Sequence, residues 1–161
     1  MPLLSMADLR ASLAPGARLL GLDLGSRTVG LALTDVGLML ATPAPALKRD
    51  KLGRMAAALL PFIAANGVGG LVVGLPLSMD GTRGPAAQAA TDWARDLSAA
   101  LGLPAALWDE RLSSAAVNRA MIQEADLTRK KRAQAVDSAA AAWMLQGALD
   151  ATAARGYNPG P

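Results

Sequence analysis

The chain has 161 residues, enough for one domain at roughly 100–200 residues each and too few for two. It contains no Cys and no His, which excludes disulfides, thiolate or imidazole metal sites, Cys nucleophiles and His-based triads. With 52% apolar residues, 3% aromatics and a net charge of +3, it is an Ala-rich, mildly basic chain compatible with a polyanionic partner. Any catalysis must therefore run on carboxylates, hydroxyls, Lys or Arg, and the single Tyr157 sits in a Gly/Pro tail. No apolar run approaches the roughly 18 residues of a membrane helix, and no basic segment precedes an apolar stretch at the N-terminus. A soluble cytoplasmic protein with no membrane association is expected.

Residues 1–16 read as an N-terminal extension with a short helix, opened by a capping box of Ser5 and Asp8 and ended by Pro15-Gly16. Arg18 to Leu24 is a strand, Gly25-Ser26-Arg27 a turn and Thr28 to Thr34 a second strand. Asp35-Val36-Gly37 is a further turn before a short third strand, Leu38 to Thr42. Tight turns make these three strands antiparallel neighbours. Lys48 to Asn66 has helical spacing, with Pro61 kinking or dividing it. Leu71-Val72-Val73 is a short buried strand. Pro85 opens the next helix and Gly102 closes it; Pro104 to Trp108 is a fifth strand. Ser113 or Ser114 caps a helix to about Ala125, and a last helix runs from about Arg132 to Ala154. The order β-β-β-α-β-α-β-α-α predicts an α/β fold: a mixed five-stranded sheet with helices on both faces, in one domain over residues 17–155, with a flexible tail at 156–161.

Four stretches could carry chemistry. Asp23 is the only charge in the run Leu19 to Leu24, where a bare carboxylate costs several kcal/mol unless a cation meets it; Gly25 just beyond would admit a ligand. Val72 to Gly84 holds three glycines between a strand and a helix N-terminus, so it is either an anion site, with Ser78, Thr82 and Arg83 as phosphate contacts, or an ordinary connecting loop. It is not a Walker loop, because no Gly-Lys-Ser/Thr follows. Asp109-Glu110-Arg111 follows the fifth strand, at the edge where open α/β sheets collect ligands; alone it could equally be a solvated turn. On the last helix Asp137 shares a face with Ala133, Ala140, Ala141 and Met144, a small apolar face that again asks for a cation. The basic run Arg129-Lys130-Lys131-Arg132 before it could be a solvated face or could hold a phosphate backbone. Asp23, Glu110 and Asp137 thus come from three elements, and without His a carboxylate cluster binding hard divalent cations is the natural catalyst for phosphodiester hydrolysis.

These blocks, in this order, resemble the YqgF family, also called RuvX: pre-16S rRNA nucleases long described as Holliday-junction resolvase-like. The resemblance rests on Asp23-Leu24-Gly25 with Gly30, Gly74-Leu75-Pro76 with Asp80-Gly81-Thr82, Asp109-Glu110-Arg111-Leu112, and Asp137-Ser138-Ala139-Ala140. It covers nearly all of Leu19 to Asp150. It implies a ribonuclease-H-like sheet of order 3-2-1-4-5 with strand 2 antiparallel. It also implies Asp23, Glu110 and Asp137 as catalytic acids and ligands of Mg²⁺ or Mn²⁺. Nucleic-acid contacts would come from Arg27, Ser78, Thr82, Arg83, Arg111, Arg129, Lys130, Lys131 and Arg132. Thr28 stands where many members carry a basic residue, which leaves that phosphate contact to Arg27.

The implied function is a metal-dependent nuclease in 5′-end processing of precursor 16S ribosomal RNA. Its partners would be precursor rRNA or ribosomal particles, and it would act as a monomer or weak homodimer. The alternatives are a DNA Holliday-junction resolvase and a non-catalytic nucleic-acid-binding factor. An ATP-dependent kinase of the actin-like superfamily shares the Asp-x-Gly turn, but such kinases need two domains around the nucleotide.

Overall fold

A computed structural model describes residues 2–76, 84–109 and 129–156, the side chains of 129–137 and 154–156 excepted. The elements are β1 (Leu3–Leu4), α1 (Met6–Ser12), β2 (Arg18–Leu24), β3 (Thr28–Thr34), β4 (Ala41–Lys48), α2 (Leu52–Asn66), β5 (Val68–Leu75), α3 (Pro85–Leu101), β6 (Ala105–Asp109) and α4 (Arg129–Gly156). The sheet runs β1-β6-β5-β2-β3-β4. β2 is antiparallel to β3 and parallel to β5, and β5 is parallel to β6. The expected 3-2-1-4-5 order is therefore present, with a sixth strand added: β1 pairs parallel with β6 through Leu3↔Ala105 and Leu4↔Ala106.

Several elements differ from the sequence reading, α2 among them, since Lys48 ends β4 and the helix starts only at Leu52. The third strand is Ala41–Lys48, not Leu38 to Thr42. Asp35 Oδ1 accepts the N–H groups of Met39 at 2.7 Å and Leu40 at 3.0 Å, which holds residues 38–40 in the loop. Pro43 and Pro45 lie in the strand because β4 is the sheet edge, where a missing N–H is tolerated. Pro61 does not divide α2, which is one helix of 15 residues. Pro61 and Ala57, whose carbonyl loses its intrahelical donor, both face water. The fourth strand extends to Val68–Leu75 and includes Gly69-Gly70. There α1 packs so closely that a Cβ on Gly70 would sit 2.8 Å from Leu9 Cδ1, and the chain entering β2 lies so near that one on Gly69 would sit 2.9 Å from Ala17 Cβ.

α1 begins at Met6 because the Ser5 hydroxyl accepts the Asp8 N–H at 3.1 Å, and it ends at Ser12, ahead of Pro15. Pro85 opens α3, and Gly102 closes it in the left-handed conformation at φ 68°. α4 is the last helix, starting at Arg129 instead of Arg132, so the basic run belongs to it. The helix expected from Ser113 or Ser114 to Ala125 and the tail at 157–161 lie outside the described residues.

Strand alternation sends β2 side chains to two different cores. Leu20 and Leu22 join Leu71, Val73, Leu59 and Leu97 beneath α2 and α3. Leu19 joins Val72, Ala106, Ala141, Leu145 and Ala148 beneath α1 and α4. Arg10 ties those two helices, its Nη1 donating to the Leu149 carbonyl at 3.2 Å and to Thr152 Oγ1 at 3.1 Å.

Candidate active site

Asp23 is the next-to-last residue of β2, a strand hydrogen-bonded on both sides, and it is half-buried. It pairs with Gly30 of β3. By alternation it shares the face of Leu19 and Gly21, the α4 side. Leu22, Val73 and Leu107 form one row across β2, β5 and β6, and Asp23 lies one step beyond that row. Leu75 and Asp109 pair one step further, so the three parallel strands end along the same edge. Carboxyl ends of parallel strands are where open α/β sheets place ligand sites.

α4 points its N-terminal half at that edge, and three contacts fix its course. Near its middle, a Cβ on Gly21 would meet Leu145 Cβ and Cδ2 at 3.1 Å, so the missing side chain sets the close approach of helix and strand. At the next residue, Gln146 Oε1 accepts the Ala41 N–H at 2.9 Å, and Gln146 Nε2 donates to the Met39 carbonyl at 2.9 Å. Toward its N-terminus, the buried Ser138 hydroxyl donates to the Ala44 carbonyl at 2.7 Å. Ala44 pairs with Leu31, and Leu31 with Leu22, so Ser138 stands level with Leu22, the residue before Asp23. Asp137, the preceding helix position and one turn before the fully buried Ala141, is thereby placed at the Asp23 end of the sheet. Arg129 to Arg132 occupy the helix roughly 9–14 Å beyond Ser138, past the sheet edge.

Arg27 is exposed in the turn joining β2 to β3, which the Gly25 N–H closes on the Thr28 carbonyl at 2.9 Å. The fold thus brings Asp23, Arg27 and the backbone positions of Asp137 and the basic run to one end of the molecule. Glu110, Ser78, Thr82, Arg83 and Arg111 lie outside the described residues. The sequence reading missed Arg49. Its Nη1 donates to the Gly25 carbonyl at 2.8 Å and its N–H to the Arg27 carbonyl at 2.9 Å, latching the turn beside Asp23. The available signal was the basic cluster Lys48-Arg49-Asp50-Lys51, which was absorbed into the start of a helix.

With no His or Cys in the chain, the anionic donors this end can offer are carboxylate oxygens, a set that fits a hard divalent cation such as Mg²⁺ or Mn²⁺. Among the described residues no three acidic side chains form a ready metal cluster.

The model of the RuvX family, described as Holliday junction resolvase, matches residues 17–151. A protein of Gluconacetobacter diazotrophicus named "Putative pre-16S rRNA nuclease" is 63% identical over 153 residues, covering 95% of this chain and 99% of the relative. A protein of the same name from Gluconobacter oxydans is 60% identical over 152 residues, covering 94% of this chain and 95% of its own length. Among solved structures, RuvC of T. thermophilus in complex with a Holliday junction substrate superposes with a TM-score of 0.50 at 17% identity, over 84% of this chain and 94% of that one. That likeness concerns the fold, which is ribonuclease-H-like.

Proposed function

The chain belongs to the RuvX family, and from that premise we propose that it is a nuclease hydrolysing phosphodiester bonds in 5′-end processing of precursor 16S ribosomal RNA. The observation that carries the reading is Asp23, a carboxylate held at the C-terminal end of the central strand with α4 directed at the same place. Residues 17–155 carry the activity, and the extension before them adds β1 beside β6 as a new edge strand. The setting is the cytoplasm, and among the described residues no helix is long and apolar enough to cross a membrane.

Asp23, Glu110 and Asp137 would hold the divalent cation. A pair of such ions would supply an attacking hydroxide at neutral pH and neutralise charge on the leaving oxygen. The chain itself does the positioning. β2 holds the Asp23 backbone in place through its pair with Gly30, one residue beyond the end of the β5 ladder at Leu22. The Gly21–Leu145 contact and the Ser138–Ala44 hydrogen bond fix the distance and course of α4, and with them the position from which Asp137 acts. Arg27 at the turn would contact the substrate phosphate. Ser78, Thr82, Arg83, Arg111 and the run Arg129 to Arg132 would hold the rest of the nucleic acid.

The test is cleavage of a precursor 16S rRNA fragment, beside single-stranded RNA and a four-way DNA junction, with Mg²⁺, with Mn²⁺ and in excess chelator. The precursor should be cut at a defined site by a single copy, and chelator should abolish cutting. Asp23→Asn should lower the rate by about 10³-fold or more, roughly 4 kcal/mol of barrier. Preferential, symmetric cutting of the junction would move the function to DNA resolution. Full activity in chelator would exclude the metal reading.

A further inference from the structure

We propose that Lys48, Arg49 and Lys51, together with Arg27, form a phosphate-binding rim along which the nucleic acid enters the carboxylate end of the sheet. The proposal rests on the nuclease reading above and adds a binding track from the end of β4 and the start of α2.

The geometry is continuous. Lys48 pairs with Thr28, the first residue after the turn that carries Arg27. Arg49 is latched to the same turn through the Gly25 and Arg27 carbonyls. That latch uses one guanidinium N–H direction and leaves further donors of the five free to bind. Lys51 precedes α2 and makes no side-chain capping bond. All four side chains are exposed.

Charge pairing leaves them available. The nearby carboxylate, Asp50, is engaged elsewhere: it accepts the Lys51 backbone N–H at 2.7 Å and lies 3.7 Å from Arg54. Among the described residues no carboxylate lies within ion-pair distance of Arg27, Lys48, Arg49 or Lys51. From Lys48 to Lys51 the chain can span up to about 10 Å. Cations strung over that length match successive phosphates of a strand better than one small anion. Their end of the sheet is Asp23's end, since Thr28 lies two residues before Gly30, the partner of Asp23.

The test reads binding without cleavage: fluorescence anisotropy of a 5′-labelled single-stranded RNA of about 20 nucleotides with the full chain in excess chelator, across a salt series. For single strands each phosphate contact contributes about 0.7 to the slope of log K against log salt. The double variant Lys48→Gln/Lys51→Gln should lower the slope by about 1.4 and loosen binding about tenfold at moderate salt. Neither ammonium makes a hydrogen bond among the described residues, so its melting curve should match wild type. Arg27→Gln alone should lower the slope by about 0.7, an independent reading if the double variant misfolds. A wild-type slope in the folded variants, or no RNA binding by the wild type, overturns the rim. A wild type that binds with a steep slope yet never cleaves RNA keeps the rim and removes the nuclease. A wild type that cleaves while the double variant keeps its slope does the reverse.

Discussion

The two faces of the central sheet are built from different side chains. Beneath α2 and α3 the strands present Leu20, Leu22, Leu71 and Val73, large and almost fully buried. Beneath α4 the sheet presents Leu19 and Val72 but also Gly21, Ala32 and Ala106, met by Ala141, Leu145 and Ala148. Bulky side chains bury more apolar area, at about 25 cal/mol per Å². Small ones let backbones approach. Both faces bury large side chains, but only the second has the gap at Gly21 that sets how close α4 comes to the strand that carries Asp23. Site geometry is thus set on one side of the sheet, while both sides contribute to stability.

Paired substitutions can break that division. Leu71→Ala, on the bulky face, should cost about 2–5 kcal/mol in urea unfolding while cleavage per folded molecule stays near wild type. Gly21→Val, on the small face, should cost about 1–3 kcal/mol, because its Cβ meets Leu145 Cβ at 3.1 Å and the helix backbone must give way. Cleavage per folded molecule should then fall by more than the unfolded fraction explains. Equal behaviour of the two variants would erase the distinction.

Ser138→Ala sharpens the same point with less disturbance. Losing the hydroxyl's bond to the Ala44 carbonyl should cost about 0.5–1.5 kcal/mol, read by denaturant unfolding, with a small loss of activity. Unchanged stability would mean that the bond does not anchor α4. The smallest effect is expected at Asp35, which orders the loop that Gln146 grips. The N–H groups of Leu40, and next Met39, hold its carboxyl below the ordinary Asp value. Because the folded group is the stronger acid, its contribution is full above the unfolded value and is lost as pH falls through the folded one. NMR shifts of the Met39 and Leu40 amides should therefore stay native through the ordinary Asp value of 3.8 and move only at lower pH. A transition at or above that value would contradict the assignment.

Much of this was legible in the sequence because local signals agreed with the tertiary outcome. The charge-interrupted run Leu19 to Leu24 marked a central strand, and Pro85 and Gly102 marked the ends of α3. Other features have tertiary causes. Two residues, Leu3–Leu4, carry no periodicity, and β1 exists because the β6 edge is there to pair with. The strand reading began only at Leu71, because nothing local reveals that Leu9 of α1 and Ala17 fill the space beside Gly69 and Gly70. Pro43 and Pro45 fit inside β4 because it is the sheet edge, which is a tertiary fact and not a local one. For the site, Asp23 stood out by its burial pattern. Arg49 did not, because its contacts join residues 24 positions apart.

The central claim is that α4 brings Asp137 to the same cation as Asp23. It is tested most directly by melting wild type and Asp137→Asn in chelator and in Mg²⁺ or Mn²⁺, with cleavage measured alongside. Carboxylates held close without a cation repel one another, so neutralising one relieves strain. The account predicts an Asp137→Asn protein that melts at or above wild type in chelator, gains much less stability from the metal and does not cleave RNA. A variant that cleaves, keeps the wild-type metal shift, or is inactive only because it unfolds would contradict it.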